Sequence, residues 1–237
     1  VGQAYKGVQD VREWLFENAD HGYADFQRKL IPDMQPERVI GVRTPMLRGK
    51  ARELGRLGCE LEYLDHCAHG YFEENQLCGF IISGIKDFDE CVGRLEAFFP
   101  YMDNWATCDQ TSPAVFAGSR DKLLPLIETW LGSGQTYVTR FAIGMLMKHF
   151  LGEAFKTDYV EMLAGLHSGE YYVNMEIAWY IATALDRQWA AVVPYLEQNR
   201  FDAWVHRKAI QKALESRRIT PDEKIYLKKL RNGGYYG

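Results

Sequence analysis

The stretch "PYMDNWATCDQTSP", residues 100–113, places Trp105 and Asp109 four residues apart, with a second carboxylate at Asp103. On a helix that spacing puts the tryptophan and Asp109 on one face. A carboxylate beside an aromatic face suits a cationic group, or a transition state that develops positive charge. The plainer reading is a helix N-terminus, with Asp103 as N-cap and Pro113 ending that turn or starting the next helix. WxxxD arises by chance in many helices, so the spacing alone does not separate the two.

Four further groups have chemistry in them. Arg140 in "YVTRFAIGMLMKHF" sits early in an apolar helix, with Lys148 eight residues on and roughly on the same side. It is either a fork of donors for a phosphate or one half of an ion pair with a neighbouring carboxylate. Trp179 lies in "NMEIAWYIATAL", which is apolar on most sides and reads by default as core. "IGVRTPMLRGKAREL" gathers Arg43, Arg48, Lys50 and Arg52 around a helix start, where Thr44 reads as N-cap and Pro45 as the first turn. Such an N-terminus favours an anion. "VHRKAIQKALESRR" carries Arg207, Lys208, Lys212, Arg217 and Arg218, with Lys208 and Lys212 on one face. Each basic group is otherwise a solvated surface.

The elements that must hold these residues are helices. Apolar residues recur at helical spacing in "VQDVREWLFENA", "FDECVGRLEAFFPYM", "DKLLPLIETWLGSG", "WAAVVPYLEQNR" and "TPDEKIYLKKL", and no long window alternates as a strand would. Turn clusters such as "LGSGQ" and "LHSGE" separate them. The pattern predicts an all-α chain of roughly a dozen helices, stacked as antiparallel hairpins in a HEAT-like α-solenoid with a concave cleft. No Pro-, Gly- or Ser-rich linker interrupts it, so residues 1–237 read as a single domain, with a frayed "RNGGYYG" tail. Aromatic residues mostly fill helix seams.

Composition narrows the function classes. Of the 237 residues, 47% are apolar and 25% charged, and the net charge of −4 excludes a protein that coats nucleic acid by bulk charge while leaving room for a local basic face. The five cysteines stand singly and suggest a reducing compartment, the cytoplasm, rather than a disulfide scaffold. No apolar run is long enough for a membrane span, and no secretory signal is visible. His66 and His69 lie near Cys67, but no carboxylate or cysteine set completes a metal site, so no metal is expected. Nucleotide and hydrolase motifs are absent, and no cofactor is expected. A monomer is expected from the absence of coiled-coil heptads.

Taken in order, "VIGVRTPMLR", "DNWATCD", "TRFAIGMLMKHF" and "VNMEIAWYIATAL", followed by a basic helix, resemble the DNA alkylation repair family of AlkD-like, HEAT-repeat DNA glycosylases over nearly the whole chain. The resemblance implies release of N-alkylated purines from duplex DNA without base flipping. It matches Asp109 to the family's catalytic aspartate, Trp105 to the first tryptophan of its motif and Trp179 to a second that lines the cleft. It matches Arg140 to a cleft-facing arginine, and Thr44 and Arg48 to residues contacting DNA backbone. Arg43, Lys148, Arg207, Lys208 and Lys212 would hold further phosphates. Two positions depart from the pattern: Ala182 stands where the family has an arginine, and Asn104 where it has an aromatic. The alternatives are a non-catalytic protein that binds unusual DNA, and a protein-interaction scaffold.

Overall fold

A computed structural model describes residues 7–233, and within them every regular element is helical. The last residues of the tail expected to fray lie outside that range. The backbone forms two compact units, residues 1–119 and 120–237.

In the first unit the chain runs through α1 (Val8–Glu17), α2 (His21–Leu30), α3 (Thr44–Leu57), α4 (Glu60–His66), α5 (Phe72–Gly84), α6 (Phe88–Phe98) and α7 (Trp105–Gln110). Its centre is α5, which packs on α3, α4, α6 and α7 and is buried on every side. A helix enclosed in this way has no polar face, so the four polar residues that open it must each find a partner. Glu73 accepts from the backbone N–H groups of Ile40 at 3.0 Å and Gly41 at 2.6 Å. Burial pushes the Glu73 carboxyl up, and those two donors pull against it. Glu74 accepts from Arg12 at 2.8 Å and from the Gly70 N–H at 2.8 Å. Asn75 donates to the Tyr101 carbonyl at 3.0 Å, and Gln76 to the Thr107 hydroxyl at 3.3 Å. The run "EENQ" thereby ties α1, the segments before α3 and α5, the α6–α7 connection and α7 to one helix.

The close packing of α5 on the end of α7 requires a glycine. A Cβ on Gly79 would lie 2.3 Å from the Thr111 hydroxyl oxygen. The apolar core of this unit includes Leu15, Leu47, Ile40 and Val42 in one cluster and Ala24, Ile31, Phe72 and Ala106 in another. Gly58, at φ 69, ends α3 in the left-handed conformation that favours glycine.

The second unit comprises α8 (Arg120–Leu131), α9 (Thr136–Phe150), α10 (Thr157–Ala164), α11 (Tyr171–Glu197), α12 (Ala203–Glu215) and α13 (Pro221–Gly233). α8 and α9 form a helical hairpin, α11 packs on α9, α10 and α12, and α13 covers α12. Ile143, Leu146, Ile177, Ile181, Ala209 and Ile210 are almost completely buried between them. Each large apolar side chain removed from water in this way contributes about 1.5–3 kcal/mol before entropy is counted. The segments "YYVNMEIAWYIATAL" and "WAAVVPYLE" belong to one 27-residue helix, Tyr171–Glu197, broken at Gln188, whose φ of −138 and ψ of 43 are not helical. No described helix is long and apolar enough to cross a membrane.

Candidate functional site

The sequence candidates divide between the units. Trp105, Asp109, Thr44, Arg43 and Arg48 belong to the first, and Arg140, Lys148, Trp179, Arg207, Lys208 and Lys212 to the second.

Six residues make α7, too few for a helix to be stable by itself. Its N-terminal end is held by side-chain bonds, one local and others reaching from distant segments. The N-cap is Asn104, whose side-chain oxygen accepts from the Thr107 N–H at 2.8 Å, and not Asp103 as the spacing suggested. Asp103 is taken by Arg38, at 2.6 Å, and that arginine also donates to the carbonyls of Gly70 and His69. Asn104 Nδ2 donates back to Asp103 and to the Thr107 hydroxyl. The residue that departs from the family pattern is thus the buried cap of the helix carrying WxxxD. A phenylalanine or tryptophan side chain has no oxygen for that bond.

Trp105 is half-buried. Its indole N–H donates to the Leu30 carbonyl at 2.9 Å, and its ring packs against the cluster around Ile31 and Phe72. Asp109 lies one turn on, on the same side of α7, and is half-buried. The arrangement is a carboxylate one turn from an indole whose edge is fixed by a hydrogen bond, on a helix held at its N-terminal end.

At the start of α3 the N-cap is Arg43, with no side-chain cap, and Thr44 is the first helical residue, which corrects the assignment of Thr44 as cap. The Thr44 hydroxyl lies 3.4 Å from Tyr23 Oη instead. Arg43 donates through Nε and Nη2 to one Asp20 oxygen, at 3.0 and 2.6 Å, and its guanidinium lies over the Tyr23 ring. The Asp20 carboxyl is held below its usual range, first by the Tyr23 N–H and then by Arg43. Arg48 is exposed, 4.1 Å from the centre of the Phe80 ring, and with Arg52 borders a cavity of about 440 Å³ that also reaches Ser83 and Ser112.

In the second unit Arg140 is only 4% exposed. Its Nη2 meets Glu176 Oε2 at 2.8 Å and its Nη1 donates to the Tyr172 carbonyl at 2.9 Å. This corrects the picture of an open phosphate fork: burial and a buried carboxylate on α11 make Arg140 a bond between α9 and α11. For Trp179 the default core reading is corrected. The apolar helix around it suggested core, yet 42% of the residue is exposed. Lys212 Nζ lies 5.7 Å from its ring centre, and both border a cavity of about 240 Å³ with Ala182 and Asp186. Ala182, one turn after Trp179, is almost fully buried and has only a methyl side chain, so it adds no charge to that cavity.

On the same unit the structure adds Trp204, which sequence reading passed over, and Tyr171, which it took as a filler of helix seams. Trp204 and Tyr171 are exposed and meet edge to face at 5.6 Å. Lys208 Nζ lies 5.9 Å from the Trp204 ring centre, and Arg207, Lys208, Gln211 and Arg231 border a cavity of about 410 Å³ with that tryptophan. Trp204, Lys208 and Lys212 repeat at four-residue spacing along α12, which was the available signal. Lys148 is exposed in the last turn of α9. The face offers cations interleaved with aromatic rings, the pattern that tracks a phosphate backbone.

A further cluster was not evident from spacing. Cys78 of α5 comes to Cys67 and His69, and the ligating atoms of the three lie within 4.8 Å of one another.

These features define an all-helical protein with a carboxylate and a hydrogen-bonded indole one turn apart on one unit and an aromatic–cationic face on the other. The family profile described as DNA alkylation repair enzyme matches residues 11–213, across both units, and the chain belongs to that family. Membership makes it a DNA repair protein of enzymatic character, with DNA as its partner. No curated protein matches the chain.

Proposed function

We propose that the protein is a DNA N-glycosylase that releases N-alkylated purines, such as 3-methyladenine or 7-methylguanine, from duplex DNA without base flipping. The helices are read as repeats of a HEAT-like solenoid, acting as a monomer in the cytosol or nucleoid. The observation that carries the reading is the Trp105–Asp109 pair on a helix too short to stand alone and pinned by Asn104, Arg38 and the hydrogen bond to Leu30. Holding a catalytic group on rigid supports removes the reorganisation that would otherwise accompany charge development.

Alkylation of a purine ring nitrogen makes the base cationic and a good leaving group. As its bond to the sugar breaks, the deoxyribose acquires oxocarbenium character. Asp109 stabilises that charge and orients or deprotonates the attacking water, and water then adds to the anomeric carbon. The indole faces of Trp105 and Trp179 favour a cation through their quadrupoles. Lys148, Arg207, Lys208, Lys212 and Arg48 contact phosphates, which gives affinity without sequence preference.

The test is release of free methylated base from alkylated duplex DNA. Wild type releases base and Asp109→Asn does not, while both bind DNA alike. Release by the variant at the wild-type rate removes Asp109 from the chemistry. Binding without release by the wild type favours the non-catalytic DNA-binding reading, which the uncharged Ala182 beside Trp179 makes concrete.

A further inference from the structure

Outside the residues just assigned, the first unit contains a compact set of soft ligands. Cys67 follows α4, His69 lies in the connection to α5, and Cys78 comes from the buried middle of α5. We propose that Cys67, His69 and Cys78 form a binding site for a thiophilic divalent cation, zinc in the first place, independent of the glycosylase reading.

Ligand chemistry and geometry both support it. Two thiolates and an imidazole are the donor set of three-ligand zinc sites that keep a fourth position open. A tetrahedral ion with sulfur at about 2.3 Å needs its sulfurs about 3.8 Å apart, so atoms already within 4.8 Å of one another close on the ion by rotamer adjustment.

The imidazole is oriented as metal-ligating histidines are, by a second hydrogen bond on the other ring nitrogen. His69 Nδ1 is 2.8 Å from Asn75 Oδ1. Asn75 uses its NH₂ on the Tyr101 carbonyl, so its oxygen is the acceptor, and Nδ1 carries the proton. The lone pair is then on Nε2. The ring is also stacked on Tyr101, with centroids 3.6 Å apart and planes 10° from parallel. The backbone of His69 sits at φ 55, a left-handed conformation uncommon for a residue with a side chain. A position that costs conformational energy and is held by two side-chain contacts is a place to look for function.

Access is also present. Cys67 and His69 border a surface cavity of about 270 Å³, together with Arg94 and Tyr101, while Cys78 is completely buried behind them. The ion would enter from the cavity and keep water or a small ligand on that side. On binding, the two S–H bonds break, two metal–sulfur bonds form, and the protons pass to buffer. Because His69 and Asn75 both contact Tyr101, four residues before Trp105, the ion would also stiffen the approach to α7.

The experiment is titration of the full-length, fully reduced protein with cobalt(II), followed by displacement with zinc. Wild type should take up one equivalent and develop sulfur-to-cobalt charge-transfer absorption, which zinc abolishes. Cys67→Ser should lose at least half of that absorption and bind about tenfold or more weakly. His69→Gln should keep charge transfer but lose affinity to a similar degree. Both positions are partly exposed, so neither variant depends on refilling the core as one at Cys78 would. Cys59→Ser, at a separate cysteine, should behave as wild type. Zinc should raise the melting temperature of the wild type and not of Cys67→Ser. No thiolate–cobalt absorption in the wild type, or absorption unchanged in Cys67→Ser, overturns the proposal.

Discussion

Arg140 and Glu176 form a buried ion pair between α9 and α11, with Nη2 and Oε2 2.8 Å apart and the two side chains 4% and 2% exposed. The arginine thereby fixes the helix on which Trp179 stands. Its tie to the Tyr172 carbonyl adds a second point of attachment near the start of α11.

Breaking the pair on one side strands the other charge. Arg140→Met should destabilise the protein by about 3–5 kcal/mol, and adding Glu176→Gln should restore part of that loss. Urea unfolding of the two single variants and the double variant measures it. A cost below about 1 kcal/mol for Arg140→Met would mean that the pair is not a structural bond.

The Asn104 cap holds the helix bearing the candidate pair. Asn104→Ala should cost about 0.5–2 kcal/mol in global stability. If the placement of Asp109 depends on that cap, base release should fall by more than the lost stability explains. Asn104→Asp keeps the acceptor and should keep most of the release. Equal release by Asn104→Ala and wild type would separate the cap from the chemistry.

Lys208 and Lys212 should each account for roughly one phosphate contact. Substituting either by alanine should lower the slope of log affinity against log salt by about 0.9 and weaken binding alike for all duplex sequences. Arg43→Ala is a useful contrast, since its guanidinium is already paired with Asp20. A slope unchanged in the Lys208→Ala/Lys212→Ala double variant would remove α12 from the DNA contact.

Burial draws the His149 ring down to about 4, with Lys148 and Arg120 adding to the effect. The unfolded chain takes up that proton near pH 6.5, so between pH 6.5 and 4 the unfolded state binds more protons and stability rises with pH. The contribution is complete above pH 6.5 and is lost as pH falls through 4, on the order of 3 kcal/mol. His206, also drawn down by burial, acts in the same direction. The unfolding midpoint should fall on acidification through this window, and His149→Gln should flatten the fall. An identical pH profile for that variant would show the ring to be no source of it.

Local periodicity was enough to establish an all-helical chain and the basic face of α12, because each depends on residues within one or two turns. Lys208 and Lys212 could be placed together by counting to four. The pairing of Arg38 with Asp103, 65 residues apart, left Asn104 to cap α7. No spacing rule reaches that far. Helical period said that Trp179 lay on an apolar helix, but which side of α11 stays uncovered was decided by where α9 and α12 pack. The same holds for Arg140, whose burial follows from Glu176 arriving on another helix, and for Cys78, brought to Cys67 and His69 by the turn between α4 and α5. Sequence alone determined the helices and the residue types they carry. Which polar groups meet, and which aromatic rings remain in water, was settled by packing between helices distant along the chain.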